Sequence, residues 1–215
     1  MRKLIKLEEP LELKGMKEYW KKKVAENGSE YYKTKYRARP IKEQLKRETY
    51  NKCVYCESKV GHNTPGDVEH KIPVSANEDG RFEWGNLTIA CTECNRRKND
   101  FYNPGQGFLD PYVDEVETML IHVGPVVFQK PGEAAAEIAV RILELSETEK
   151  RLQLFGQKVN KLKAAMNLMD RIVSMNNPLL KTLLIKELRS MAEISEEFSA
   201  MVKSLIEGTD GPWAI

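Results

Sequence analysis

Leu13, Met16, Trp20 and Val24 recur at steps of three and four in a stretch otherwise filled with lysine and glutamate. That is the pattern of a helix with one buried face, predicted over 13–26 and closed by Asn27-Gly28. Arg39-Pro40 breaks the chain and opens a second helix to about Tyr50, with Ile41 and Leu45 as its inward positions. The helical period is then lost. Gly61, Pro65, Gly66, Asn77, Asp79, Gly80, Asn103, Pro104 and Gly105 leave room only for short strands and one short helix. Met119 to Phe128 alternates around Gly124-Pro125 as a strand or hairpin. From Gly132 the helical period returns. Leu152, Phe155, Val159, Leu162, Met166, Met169 and Val173 form an unbroken heptad-like seam. After Asn176-Asn177-Pro178 a second series follows: Leu184, Leu188, Met191, Phe198, Val202 and Leu205. Two long helices joined by so short a break predict an antiparallel hairpin at the core of a helical domain. Its methionines also suit an adaptable partner contact.

Composition adds an address. The 215 residues are 41% hydrophobic and 31% charged, neither depleted enough for disorder nor rich enough for a membrane protein. No apolar run approaches a bilayer span and the N-terminus lacks a signal-peptide core, so the expected location is the cytoplasm. Thiols stay reduced there, and four cysteines in two close pairs read as metal ligands rather than disulfides. The net charge of +2 is unevenly placed: residues 1–52 carry 16 Lys/Arg against 8 Asp/Glu, whereas both later parts are acidic. Tyr31, Tyr32, Lys33, Lys35, Tyr36, Arg37 and Arg39 interleave aromatics with cations, a composition able to contact a phosphate backbone or simply to form a solvated face.

Cys53-Val-Tyr-Cys56 and Cys91-Thr-Glu-Cys94 are two bidentate knuckles. Four thiolates in tetrahedral array make a closed, structural zinc site with no position open for a substrate water. Between the knuckles, Gly66–Pro73 reads as a strand entering a turn and Trp84–Ala90 as a second strand. Thr92–Lys98 can start a helix. Strand, loop, strand and helix are thus stapled by one metal. Glu69-His70 with Pro73, Asn86-Leu87, and Cys91-x-x-Cys94-Asn95 with Lys98 together resemble the HNH endonuclease family and its ββα-metal fold, over about residues 41–112.

That resemblance assigns roles. His70, neutral near pH 7, acts as general base on a water. Glu69 and Asn95 offer hard oxygens to one Mg²⁺ or Mn²⁺ ion, with Asp67 as a competing ligand because the family more often has Asp before the histidine. Asn86, the middle motif residue, pins the loop that carries His70. Arg96, Arg97 and Lys98 lie on the following helix, suited to hold phosphates. His62 and His122 have no comparable context and are expected to be structural. Further matches, including Cys-Val-Tyr-Cys-Glu, Trp-x-Asn-Leu and Leu109-Asp-Pro-Tyr112, are similar to the HNH nuclease subunits of Septu-type antiphage systems, also found with some retrons. This implies an ATPase partner of the ABC/SMC type that restrains the nuclease, docking on the helical C-terminal half.

The expectation is therefore an α+β protein in which a small zinc-stapled ββα-metal module sits in a mostly helical chain. Its segments are a basic helical 1–40, the nuclease domain 41–112 and the helical domain 113–215 with a C-terminal hairpin. The expected activity is metal-dependent hydrolysis of DNA phosphodiesters. RNA cleavage is the first alternative, and a non-catalytic zinc-stabilised binding module the second.

Overall fold

The computed structural model describes residues 1–61, 65–105 and 107–213; His62 lies outside them. The chain runs through α1 (Leu11–Asn27), the one-turn α2 (Glu30–Lys33) and α3 (Arg39–Glu48). Strands β1 (Asp67–His70) and β2 (Leu87–Ala90) then pair antiparallel, with Glu69 opposite Thr88 and His70 opposite Leu87, and lead into α4 (Thr92–Lys98). Beyond α5 (Val116–Met119) lie the hairpin of β3 (Leu120–Val123) and β4 (Val126–Gln129) and the helices α6 (Ala134–Ile142), α7 (Leu152–Ser174), α8 (Pro178–Ser190) and α9 (Ser199–Glu207). This is an α+β architecture, a ββα module set into a helical protein.

Local chemistry explains the elements that position the site. Gly28 takes φ 61° and its N–H returns to the Val24 carbonyl, ending α1 with a left-handed cap. Leu13 and Trp20 are buried on α1, whereas Met16 faces solvent. The Trp20 ring meets Phe82 at 5.7 Å, and Lys21 pairs with Glu83, so α1 braces the 3-10 turns that connect β1 to β2. Ile41 and Leu45 seal α3 over the back of the sheet. Tyr112 donates to Glu48 of α3 at 2.6 Å and lies 2.9 Å from the Thr88 hydroxyl of β2, tying helix and strand together. Trp20, Leu45, Ile89, Leu109, Leu143 and Val202 belong to one contiguous hydrophobic core, to which every part of the chain contributes.

Two helical expectations are corrected. On α7 the predicted seam is only half inward: Phe155 and Met169 are buried, but Leu152, Met166 and Val173 are 71%, 51% and 66% exposed. The buried stripe instead runs through Leu154, Lys158, Ala165, Leu168 and Ile172. Lys158 hid this face from a hydropathy reading. It is buried and its ammonium donates to the Pro125 carbonyl at 3.0 Å. The second long helix is also divided, because α8 ends at Ser190 and α9 begins at Ser199. Phe198 sits at φ 55°, and the ββα region supplies partners for the interrupted backbone. Lys52 and Lys59 donate to the Glu196 and Ser195 carbonyls, and the Glu57 carboxylate accepts from the Ser199 hydroxyl and the Ala200 N–H. Tertiary contacts here override a continuous apolar period.

Candidate active site and metal centre

Cys53 and Cys56 lie in the turns after α3; Cys91 caps α4 and Cys94 stands in its first turn. Their four sulfurs fall within 4.8 Å of one another and none is in a disulfide. The Cys56 and Cys91 sulfurs are 3.8 Å apart. A tetrahedron with zinc–sulfur bonds of about 2.3 Å has an edge of about 3.8 Å, so this cluster can hold a structural zinc. Four thiolates around a divalent ion leave two negative charges, and a buried cation answers them. Arg151, 6% exposed, places one guanidinium nitrogen 3.4 Å from Cys94 Sγ and another 2.8 Å from the Leu143 carbonyl. Burial disfavours its charge, but the Cys94 and Cys56 sulfurs outweigh that and raise its pKa. Nothing in the local sequence around Arg151 signals this role.

Around His70 the chain leaves a cleft of about 330 Å³ lined by Glu69, His70, Asn95 and Arg96 together with Tyr36, Arg37, Ser75, Arg81, Asn99 and Asp100. His70 Nε2 lies 3.0 Å from the Arg81 carbonyl. A carbonyl can only accept, so Nε2 carries the proton and Nδ1 is the basic nitrogen. Tyr36 packs edge-on against the ring at 4.5 Å and fixes its plane. Burial, reinforced by the Arg81, Lys98 and Arg37 charges and opposed by the Arg81 carbonyl, lowers the imidazole to about 4. The ring is neutral at pH 7.

Glu69 is 4% exposed. Its Oε1 is 2.7 Å from the Lys98 ammonium and 3.5 Å from the Tyr55 hydroxyl, which leaves Oε2 for the cleft. Burial raises its pKa against the pull of Lys98. Asp67 lines no part of the cleft; its carboxylate instead accepts from the Asn95 side-chain nitrogen at 3.4 Å, which turns the amide oxygen of Asn95 the other way. Asn86 is pinned at three points, accepting from the Ile72 N–H at 2.7 Å and donating to the Ile72 and Gly80 carbonyls at 2.9 and 3.1 Å. It therefore joins the segment after His70 to the turn bearing Arg81. Gly80 gives room for that approach, since a Cβ there would meet the Asn86 amide nitrogen at 3.0 Å and press it aside.

The basic run on α4 divides. Arg96 is well exposed and lines the cleft. Arg97 is turned away, paired with Glu93 and Glu144 and donating to the Lys150 carbonyl. Lys98 is 1% exposed, held by Glu69 and the His70 carbonyl. Arg97 and Lys98, expected to hold phosphates, line no part of the cleft in this arrangement, their charges being taken up by protein groups. Three adjacent cations on a helix point about 100° apart, and spacing alone does not tell which one faces the substrate. Arg37, from the basic and aromatic stretch before α3, and Arg81, which no motif singled out, line the cleft beside Arg96. Arg81 Nε is buried without a hydrogen-bond partner among the described residues. His122 also sits with both ring nitrogens buried and unpartnered among them.

This geometry is that of a ββα module, tied by a four-cysteine cluster that can hold zinc, presenting a neutral histidine beside an acid, an amide and three arginines. Residues 53–101 match the family model "HNH endonuclease". It is also 32% identical over 75 residues to the Septu protein PtuB of Bacillus thuringiensis, a resemblance that covers 34% of this chain and 29% of that relative. No described helix is long and apolar enough to cross a membrane.

Proposed function

We propose that this protein is a metal-dependent HNH endonuclease that hydrolyses DNA phosphodiesters, acting in the cytoplasm as the nuclease of an antiphage system. The observation that carries the reading is the His70 ring. With Nε2 committed to the Arg81 carbonyl, Nδ1 is the basic atom in a cleft lined by Arg37, Arg81 and Arg96. A phosphodiester entering there would be held by these cations. Nδ1 takes a proton from a water as its oxygen bonds to phosphorus and the bond to the leaving 3′-oxygen breaks. The low basicity of the free imidazole rises when an anionic phosphate arrives beside it, which brings its pKa toward the working range.

Glu69 Oε2 and the Asn95 amide oxygen are hard donors on the same cleft. Few in number, they suit a Mg²⁺ or Mn²⁺ ion that keeps most of its sphere for water and substrate. When bound, such an ion supplies Lewis-acid stabilisation of charge on the phosphate and leaving oxygen. Lys98, Asp67, Asn86 and Tyr36 are positioning residues: they hold Glu69, Asn95, the Arg81 turn and the His70 ring. A PtuA-like ATPase of the ABC/SMC type is the proposed partner, on the strength of the Septu relative. Incubating the protein with Mg²⁺ and supercoiled plasmid, beside the same nucleotides as RNA and a His70→Ala variant, tests the core claim. Nicked or linear DNA from the parent and none from the variant supports it. Intact DNA in every arm, with the ATPase present or absent, refutes it.

A further inference from the structure

The cations of the first fifty residues fall into two groups. On α1 all but Lys14 are neutralised: Lys17 and Lys21 pair with Glu83, and Lys22 and Lys23 with Glu26. Past α2 the pairing stops. Lys35, Arg37, Arg39 and Lys42 make no ion pair among the described residues, although all lie within one short stretch that leads to the cleft. Beside them stand three tyrosines in edge contact, Tyr31 against Tyr32 at 5.1 Å and Tyr32 against Tyr19 at 5.8 Å. Tyr31 is 64% exposed and Tyr19 45%, an unusual amount of aromatic surface to leave in water. The Lys35 ammonium lies 3.8 Å from the centre of the Tyr31 ring, and the Arg37 guanidinium 5.1 Å from that of Tyr36. Tyr36 in turn abuts His70.

We propose that Tyr19, Tyr31 and Tyr32, with Lys35 and Arg37, form a stacking platform for unpaired bases of single-stranded DNA whose backbone continues into the His70 cleft. A duplex keeps its base faces stacked on one another and offers a protein ring nothing to lie against. An exposed ring gains from nucleic acid only where bases are free. The unneutralised cations follow the backbone of that strand, and their continuity with the cleft favours nucleic acid over a protein partner at this surface. The proposal rests on the nuclease reading for its choice of DNA.

Fluorescence anisotropy without added divalent cation measures binding apart from cleavage. A 12-nucleotide single strand, its blunt duplex and the equivalent RNA serve as probes. The single-stranded DNA should bind at least tenfold tighter than the duplex. Tyr31→Ala should weaken that binding about fivefold or more and leave the duplex unaffected, whereas Tyr31→Phe should stay within twofold because stacking does not use the hydroxyl. Lys35→Ala should reduce the slope of log affinity against log salt by about 0.7, one single-strand phosphate contact. Equal affinity for strand and duplex, indifference to Tyr31→Ala, or binding of RNA alone overturns the platform. A protein that binds single strands through Tyr31 and yet cuts no plasmid keeps the platform and loses the catalytic reading. A protein that cuts plasmid with Tyr31→Ala unchanged in binding does the reverse.

Discussion

Replacing Lys98 by methionine keeps most of the stem's packing and removes only its charge. In the native protein the ammonium lies 2.7 Å from Glu69 Oε1 and 2.9 Å from the His70 carbonyl, with Lys98 1% and Glu69 4% exposed. At an effective dielectric of about 20, unit charges at that separation attract by roughly 6 kcal/mol before desolvation is counted. The variant retains the buried carboxylate and its desolvation cost but loses the attraction. The remaining donor, the Tyr55 hydroxyl at 3.5 Å, is too distant to replace it. The expected loss is about 3–5 kcal/mol, the usual result of orphaning one ion of a buried pair. The double variant Lys98→Met/Glu69→Gln buries no charge and should recover about 2 kcal/mol of that loss. Urea unfolding of the parent, both single variants and the double variant closes the cycle. A Lys98→Met cost below about 1 kcal/mol, or losses that simply add, would show that the ion pair does not hold this strand and helix together, and would return Lys98 to the pool of phosphate ligands.

Arg151→Met should cost about 3 kcal/mol and hasten zinc loss to a colorimetric chelator, because the thiolate cluster loses its buried countercharge; unchanged release would argue against that role. Asn86→Ala removes three hydrogen bonds, leaving the Ile72 N–H and carbonyl unpaired and the Gly80 carbonyl with only the Glu83 N–H. About 1 kcal/mol for each, roughly 3 kcal/mol in total, should appear in thermal melts alongside reduced cleavage. Burial, aided by the N-terminal ammonium and then by the Lys158 and Arg2 charges and opposed by Glu57, lowers His122 to about 3. The unfolded chain protonates this ring near pH 6.5 and the native protein does not, so stability falls as pH drops from about 6.5 toward 3. His122→Phe should therefore lose about 2 kcal/mol less than the parent between pH 7.5 and 5, and parallel stability curves would contradict a neutral buried ring.

The module around the cysteines was legible because its chemistry is written locally. Two Cys-x-x-Cys knuckles, an acid-histidine pair and a cysteine-asparagine step each need only their own few residues, and β1, β2 and α4 lie where those motifs put them. Helices α1 and α3 were legible for a similar reason, since Gly28 and Pro40 mark a stop and a start. What escaped depends on partners distant in sequence. Lys98, expected to hold phosphate, and Lys158, outside the predicted seam, are buried against Glu69 and a carbonyl of the β3–β4 turn. The gap between α8 and α9 exists because Glu57 and Lys52, more than 130 residues earlier, bind the backbone and side chains there. Arg81 was missed because its value lies in where a turn stabilised by Asn86 aims it.

The grip of the 143–151 stretch on α4 has a practical meaning. Arg151 reaches Cys94 and Glu144 holds Arg97, three residues apart on one face of α4, with Asn95 between them in sequence. Any ligand that tugs on the loop joining α6 to α7 thereby pulls directly on the helix that carries Asn95. By the same token, a clone trimmed at residue 112 to isolate the nuclease would cut away the arginine beside its own sulfurs and strand Glu57 without Ser199. Such a minimal piece should misfold, and the intact chain is the smallest unit worth purifying.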